Sequence, residues 1–130
     1  MRIETREYAF ELPERWKGLV GVKKTKNRMN LLLLCEEDPA CSGLLFYLKC
    51  VKRPLSKPDE YTELLGFLRE ESSGERRCLY VVYGREGAVS EENEDLYWRL
   101  RDRDWQLFES IRSAEGWRFD RKDRPADGLT

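Results

Sequence analysis

The residues that could carry nucleophilic or redox chemistry are four cysteines, at positions 35, 41, 50 and 78. No two of them form a Cys-x-x-Cys pair, so zinc-knuckle and thioredoxin-like sites are weak interpretations. A catalytic thiol needs a lowered pKa, which comes from a histidine, a helix N-terminus or adjacent cations. The chain has no histidine, and Cys35 and Cys41 flank an acidic loop that disfavours a thiolate. We therefore predict four unpaired, structural thiols.

Two groups of carboxylates are candidates for metal binding or acid–base chemistry. Residues 36–38 form an acidic loop, but it lacks the alternating oxygen ligands and the glycine of a calcium-binding EF-hand loop. Residues 91–95 carry four carboxylates, which the first turn of a helix explains because the helix dipole favours negative charge there. The sequence predicts no metal site, no cofactor and no catalytic residue.

Tryptophans beside arginines give the strongest candidate site. Trp98 and Trp105 lie seven residues apart in a predicted helix, nearly aligned on the flank opposite its apolar stripe. Arg101 and Arg112 fall between the tryptophans and that stripe. Tryptophan and arginine are enriched at interface hot spots. We predict a surface for a protein partner or for self-association, formed by Trp98, Arg101, Trp105 and Arg112.

An alternative places the same two tryptophans in the protein interior. Trp117 and Phe119 would then fold back and cover them, or Trp98 and Trp105 would lie in a second core layer. Large exposed apolar patches usually have a function. The interface interpretation is therefore favoured slightly over the core interpretation.

The helix that should position this surface is predicted over residues 91–113. Ser90 precedes it as an N-cap, and Gly116 follows its end. At 100° per residue, six apolar side chains fall in one arc that should pack on a sheet. These are Leu96, Tyr97, Leu100, Leu107, Phe108 and Ile111. Asp104 lies inside this arc and needs a partner if it is buried.

The sheet is predicted to be organised around Leu44–Val51. This run is apolar on both faces and bounded by turn formers, which indicates a central strand. Residues 78–83 have the same pattern and should pair with it. Residues 64–70 and 77–83 should form a hairpin. Three further strands are predicted over residues 6–12, 19–24 and 29–35, with Trp16 packing under the sheet from the turn at 13–18. The four consecutive leucines within residues 29–35 also suit a buried helix.

These elements predict an α+β fold. We expect a single antiparallel β-sheet of about five to six strands, covered by a long C-terminal amphipathic helix and a short N-terminal helical turn. The 130 residues suit one domain. Residues 1–117 should form it, and residues 118–130 should form a charged, flexible tail because they carry little apolar content.

Charge and the N-terminal sequence bear on partners and location. Lysine plus arginine number 24 against 25 for aspartate plus glutamate. A polyanion binder needs a basic surface or a strong local patch, so nucleic acid is not an expected partner. No membrane span is predicted. Because residues 1–7 lack an apolar signal segment, the chain is predicted to be cytoplasmic if Met1 is its native start. It would be exported, with two disulfides possible, if a leader has been removed.

Four stretches resemble small bacterial α+β domains of PsbP-like type, found in mostly uncharacterised proteins of Gram-positive bacteria. A strand, a proline and a tryptophan come first, over residues 10–16. The other three are a Gly-rich approach to an apolar strand at 42–46, a Val-Tyr-Gly strand end at 82–84 and an acidic helix start at 90–92. The resemblance implies a sheet covered by helices and a binding or accessory role, with no catalytic residues to carry over.

Two classes of function follow. The first is a non-enzymatic protein-interaction or accessory binding module, such as a small inhibitor or adaptor of a bacterium or its mobile elements. The second is a small enzyme that uses carboxylate or tyrosine residues in a cleft. An exposed aromatic patch favours the first, and a pocket with convergent titratable groups favours the second.

Overall fold

The computed structural model describes residues 1–122. Its described part contains nine β-strands, and every strand pair is antiparallel. The strands are β1 (Arg2–Glu4), β2 (Tyr8–Glu11), β3 (Val20–Thr25), β4 (Arg28–Leu33), β5 (Leu44–Val51), β6 (Thr62–Glu70), β7 (Arg76–Tyr83), β8 (Arg112–Ser113) and β9 (Trp117–Arg121). The helices are α1 (Glu94–Arg101) and α2 (Asp104–Glu109), with 3-10 turns at Glu14–Trp16 and Glu91–Asn93.

A six-stranded sheet forms the centre of the fold, in the order β3-β4-β5-β7-β6-β9. Strands β5 and β7 are neighbours in it, as the sequence predicts, and β6 and β7 form the predicted hairpin. Phe46, Leu48, Leu79 and Val81 project from one face and are fully buried. We call this the core face. The opposite side is the outer face.

A second, three-stranded sheet has the order β1-β2-β8. Tyr8 and Phe10 of β2 are buried and belong to the same hydrophobic cluster as Phe46 and Leu48. The prediction of a single sheet covered by a long helix is therefore wrong, because the fold is mostly β and has two sheets. Strands of three and two residues, such as β1 and β8, are too short to give a period-two pattern.

The predicted helix over residues 91–113 is also wrong. Helix α1 ends at Arg101, α2 begins at Asp104, and Arg112 and Ser113 belong to β8. After the break, α2 packs on the core face, where the centroid of the Phe108 ring lies 5.3 Å from that of the Phe46 ring. A side-chain hydrogen bond from Tyr83 to Asp104 fixes the start of α2. Tertiary contacts thus override a helical period that is continuous in the sequence.

The predicted N-terminal helical turn with a buried Trp16 is confirmed, whereas the predicted C-terminal tail is wrong over the residues that form β9. At the N-terminal side, Glu14–Trp16 forms a 3-10 helix, and Trp16 is buried under the sheet against Phe46 (ring centroids 6.3 Å apart). At the C-terminal side, residues 118–121 do not form a tail, because β9 pairs with β6 along its length. The rest of the predicted tail, residues 123–130, lies outside the described residues.

Candidate functional site

Arg101 is the centre of an aromatic cluster at the end of α1. Its guanidinium carbon lies 4.5 Å from the Tyr83 ring centroid, 4.8 Å from that of Trp98 and 5.6 Å from that of Tyr97. Its Nη1 donates to the carbonyl oxygen of Gly84 and to Tyr97 Oη, both at 3.3 Å. Cation–π contacts and hydrogen bonds together hold this side chain in one position. The Trp98 ring therefore rests on a fixed platform.

Trp98 and Trp105 are both exposed, with 53% and 41% of their surface accessible. Trp117 and Phe119, which would have to fold back to cover them, lie in β9 instead. Trp117 is buried, with the Arg77 guanidinium 5.5 Å from its ring centroid. Neither the covered nor the second-layer arrangement is present. The two indoles make no ring contact with one another in the described part of the chain, since the helix break separates them onto α1 and α2.

Asp104, the residue before Trp105, is held by a hydrogen bond to β7. Tyr83 Oη donates to Asp104 Oδ2 at 2.7 Å, which supplies the partner that the sequence requires for a carboxylate in the apolar arc. Burial raises the pKa of Asp104, although the Tyr83 hydrogen bond and the nearby Arg101 charge oppose that rise. Burial and the same hydrogen bond raise the pKa of Tyr83. This hydrogen bond fixes the start of α2 against the end of β7.

Arg112 is hydrogen-bonded to the backbone at the end of α2. Its Nη1 donates to the carbonyl oxygens of Glu109 (2.7 Å) and Ile111 (2.8 Å), at the C-terminal end of α2. Cations are stabilising at that end of a helix. Within residues 1–122, its guanidinium stacks on neither indole. The structure thus brings Arg101 to Trp98 and leaves Arg112 as a helix cap.

No family model, curated protein or solved structure matches this chain. The resemblance to PsbP-like domains stays a prediction.

The acidic loop after β4 positions α1. Glu36 Oε1 accepts hydrogen bonds from Ser90 N (2.6 Å), Ser90 Oγ (3.1 Å) and Asn93 Nδ2 (3.2 Å). Cys35 Sγ donates to Asn93 Oδ1 at 3.3 Å. Glu36 thus caps, from a distant loop, the turn in which α1 begins. Among the described residues, no group of three potential ligands could hold a metal ion.

The contacts of Glu36 predict a pH-dependent stability. The backbone hydrogen bond from Ser90 is the main cause that holds the pKa of Glu36 below its ordinary value of 4.5. A carboxyl group with a lowered folded-state pKa stabilises the fold above its unfolded pKa, and this stability is lost as pH falls through the folded value. Wild type should therefore be more stable than Glu36→Gln at neutral pH, and the difference should shrink below about pH 4.

Chemical denaturation at several pH values measures this difference. Glu37→Gln is the matched control, because no hydrogen bond joins Glu37 to the turn before α1 in the described residues. A difference between wild type and Glu36→Gln that stays constant from neutral pH to about pH 3 would contradict the capping role.

All four cysteines are unpaired, as the sequence predicts. Burial raises the pKa of Cys50 to about 12 and also raises the pKa of Cys78. The pKa of Cys41 is raised by desolvation and by the nearby Asp38 carboxylate. A thiol with a raised pKa is a poor nucleophile at neutral pH, which supports structural roles for these three.

Sequence reasoning missed a groove of about 660 Å³ on the outer face. Its walls are the segment after β5 and the loop after β7, and its floor includes Tyr47, Lys49 and Val82. At the rim, Arg85 Nη2 pairs with Asp59 Oδ2 at 2.6 Å. The groove is formed by β5, the segment after β5 and the loop after β7. Because these segments are separated in the sequence, no local sequence pattern predicts the groove.

In the described part of the chain, no helix has the length and apolar character that a membrane span requires.

Proposed function

We propose that this protein is a non-enzymatic interaction module that binds a protein partner, or a second copy of itself, through the surface around Trp98 and Trp105. The exposure of both indoles carries the proposal, since few large apolar side chains of the described chain are exposed. The Arg101 platform supports it further. A side chain that is already fixed loses less conformational entropy on binding.

An adaptor or small inhibitor fits this arrangement better than an enzyme does. The groove is lined by two carboxylates, Asp59 and Glu86, and by two tyrosines, Tyr47 and Tyr83. Hydrogen bonds from Thr62 and the Tyr61 amide, with the Arg85 charge, hold the pKa of Asp59 below its ordinary value. The pKa of Tyr83 is raised. Both shifts move away from neutrality, whereas a general acid or base works best with a pKa near the operating pH.

The four unpaired cysteines favour a reducing compartment. A cytoplasmic location is therefore part of the proposal.

Replacement of both Trp98 and Trp105 by alanine should strongly weaken association while the fold survives. The two side chains are exposed, so the free energy of unfolding should fall by less than about 1 kcal/mol. Association should weaken by about 2 kcal/mol or more, a loss of roughly 30-fold in affinity. Denaturant titration measures the first quantity. Sedimentation and capture of partners from the native host measure the second.

Leu34→Ala is the matched control, because Leu34 is another large apolar side chain exposed on the surface (57%). It should keep both stability and association. A large loss of stability in the tryptophan double variant, with association unchanged, would return both residues to a structural role and remove this surface as a site.

A further inference from the structure

We propose that the outer face of the six-stranded sheet binds single-stranded nucleic acid. The whole sequence has nearly equal numbers of positive and negative side chains. The register of the strands nevertheless gathers positive side chains on the outer face. This inference concerns a different face from the surface around Trp98 and Trp105, and it does not depend on it.

The strand register collects cations on this face. Paired residues on neighbouring antiparallel strands project from the same side of a sheet. Arg28 pairs with Lys49 across β4 and β5. Arg69 pairs with both Arg76 and Arg118, which places three arginines side by side across β7, β6 and β9. With Lys23 of β3, which is in register with Tyr47 through Asn30, the strands supply six cations to the outer face.

Little negative charge opposes these cations. Asp120 is the one carboxylate that the described strands place on the outer face, and it lies 3.8 Å from Arg118 Nε. The other five cations form no salt bridge within residues 1–122. Asp59 and Glu86 lie at the rim of the groove, where Asp59 is already paired with Arg85. Unpaired cations on one face are the requirement for neutralising a phosphate backbone.

The segment that crosses this face adds to the positive charge. Residues 52–58 contain two lysines, one arginine and no carboxylate. The backbone N–H of Leu55 donates to Tyr80 Oη at 3.0 Å, which ties the segment onto the sheet. Lys57 of this segment lines the groove together with Tyr47 and Lys49 of β5.

Aromatic rings lie among the cations. The Arg28 guanidinium is 4.4 Å from the Tyr47 ring centroid, and that of Arg76 is 4.6 Å from the Phe67 centroid. Both rings are partly exposed. Binding sites for single strands combine a basic track for the backbone with aromatic rings on which bases stack. Duplex recognition would need a helix or a two-stranded ribbon that enters a groove of the nucleic acid, and no helix of the described residues lies on this face.

The position of this face leaves the other surface free. Helices α1 and α2 cover the core face through Phe46 and Tyr83, so Trp98 and Trp105 lie on the helical layer, away from the outer face. One chain can then hold a nucleic acid strand and a protein partner at the same time.

Fluorescence anisotropy with a labelled oligothymidylate of about 12 nucleotides tests the proposal, over about 50 to 200 mM salt. Wild type should bind, and its affinity should fall steeply as salt increases. A single strand gives a logarithmic slope of about −0.7 per phosphate neutralised. The double variant Arg28→Gln/Lys49→Gln should therefore lower the magnitude of the slope by about 1.4 and weaken binding about tenfold or more at low salt.

Arg15→Gln/Lys17→Gln is the matched control. It removes the same charge from two exposed residues, one within the 3-10 helix Glu14–Trp16 and one directly after it, and should bind like wild type. Amide chemical shifts give a second readout on the unmutated protein. The oligonucleotide should change the amide chemical shifts of Tyr47, Lys49 and Phe67 and leave that of Trp98 unchanged.

Three results would overturn the proposal. The first is no salt-dependent binding by wild type at about 50 mM salt. The second is equal weakening in the control double variant. The third is equal displacement of the oligonucleotide by a polyglutamate peptide of the same charge, because bases that stack on Tyr47 should favour the nucleic acid over another polyanion.

Discussion

Gly84→Ala should destabilise the protein by about 3 kcal/mol, toward the upper end for insertion of a methyl group into a packed site. A Cβ at this position would clash with the carbonyl oxygen of Leu44 and approach Tyr97 Oη to 2.7 Å. The Leu44 obstacle is backbone, which cannot rotate away. Gly84 also accepts the hydrogen bond from Arg101, so the clash would loosen β5, β7 and α1 together. Thermal and denaturant unfolding measure the loss.

Gly21→Ala is the matched control, a glycine in β3 that also has a close neighbour. There a Cβ would meet Leu34 Cδ2 at 2.7 Å, and that atom is the tip of an exposed side chain that can move aside. Its cost should stay below about 1 kcal/mol. Equal effects of the two substitutions would show that the contact with Leu44 does not constrain the fold.

Phe46→Ala should destabilise the protein by about 3 to 5 kcal/mol, as truncation of a fully buried aromatic side chain does. The ring has no exposed surface. Its centroid lies 5.3 Å from Phe108, 6.0 Å from Tyr83 and 6.3 Å from Trp16, so one side chain joins α2, β7 and the N-terminal turn. Denaturant titration should show a large fall in the midpoint.

The opposite face of the same sheet provides the comparison. Phe67 lies on β6 on the outer face and is partly exposed beside Arg76. Phe67→Ala should cost clearly less than Phe46→Ala, about 1 kcal/mol. A larger loss at Phe67 would reverse the assignment of the core and outer faces.

The two central strands of the six-stranded sheet could be predicted from the sequence, because their residue pattern is compatible with few structures. Leu44–Val51 and residues 78–83 are apolar on both faces, which places them in the interior of a sheet. The sequence also marked Asp104, since a carboxylate in an apolar arc must find a partner. It could not name Tyr83 as that partner, because the two residues are joined only through the packing of α2 on β7.

The second sheet and the helix break could not be predicted, because no local sequence signal indicates either of them. Nothing in the local pattern at Asp102 and Arg103 interrupts a helix. We attribute the interruption to the packing of the Phe108 ring against the buried Phe46 ring, which a continuous helix pattern does not reveal. For the site, Trp98 and Arg101 were predicted to lie together, and they do. The basic outer face was missed because its cations are distributed over six strands and meet only through register.

The pairing of Ala9 with Arg112 has a consequence for synthesis on the ribosome. Strands β3, β4 and β5 can pair as soon as they emerge, whereas the three-stranded sheet must wait for β8, near the end of the described chain. During that interval Phe46 and its neighbours on the core face remain partly uncovered. We expect a slow late folding phase that depends on this long-range closure, and a nascent chain that is prone to aggregation until α2 and β8 arrive.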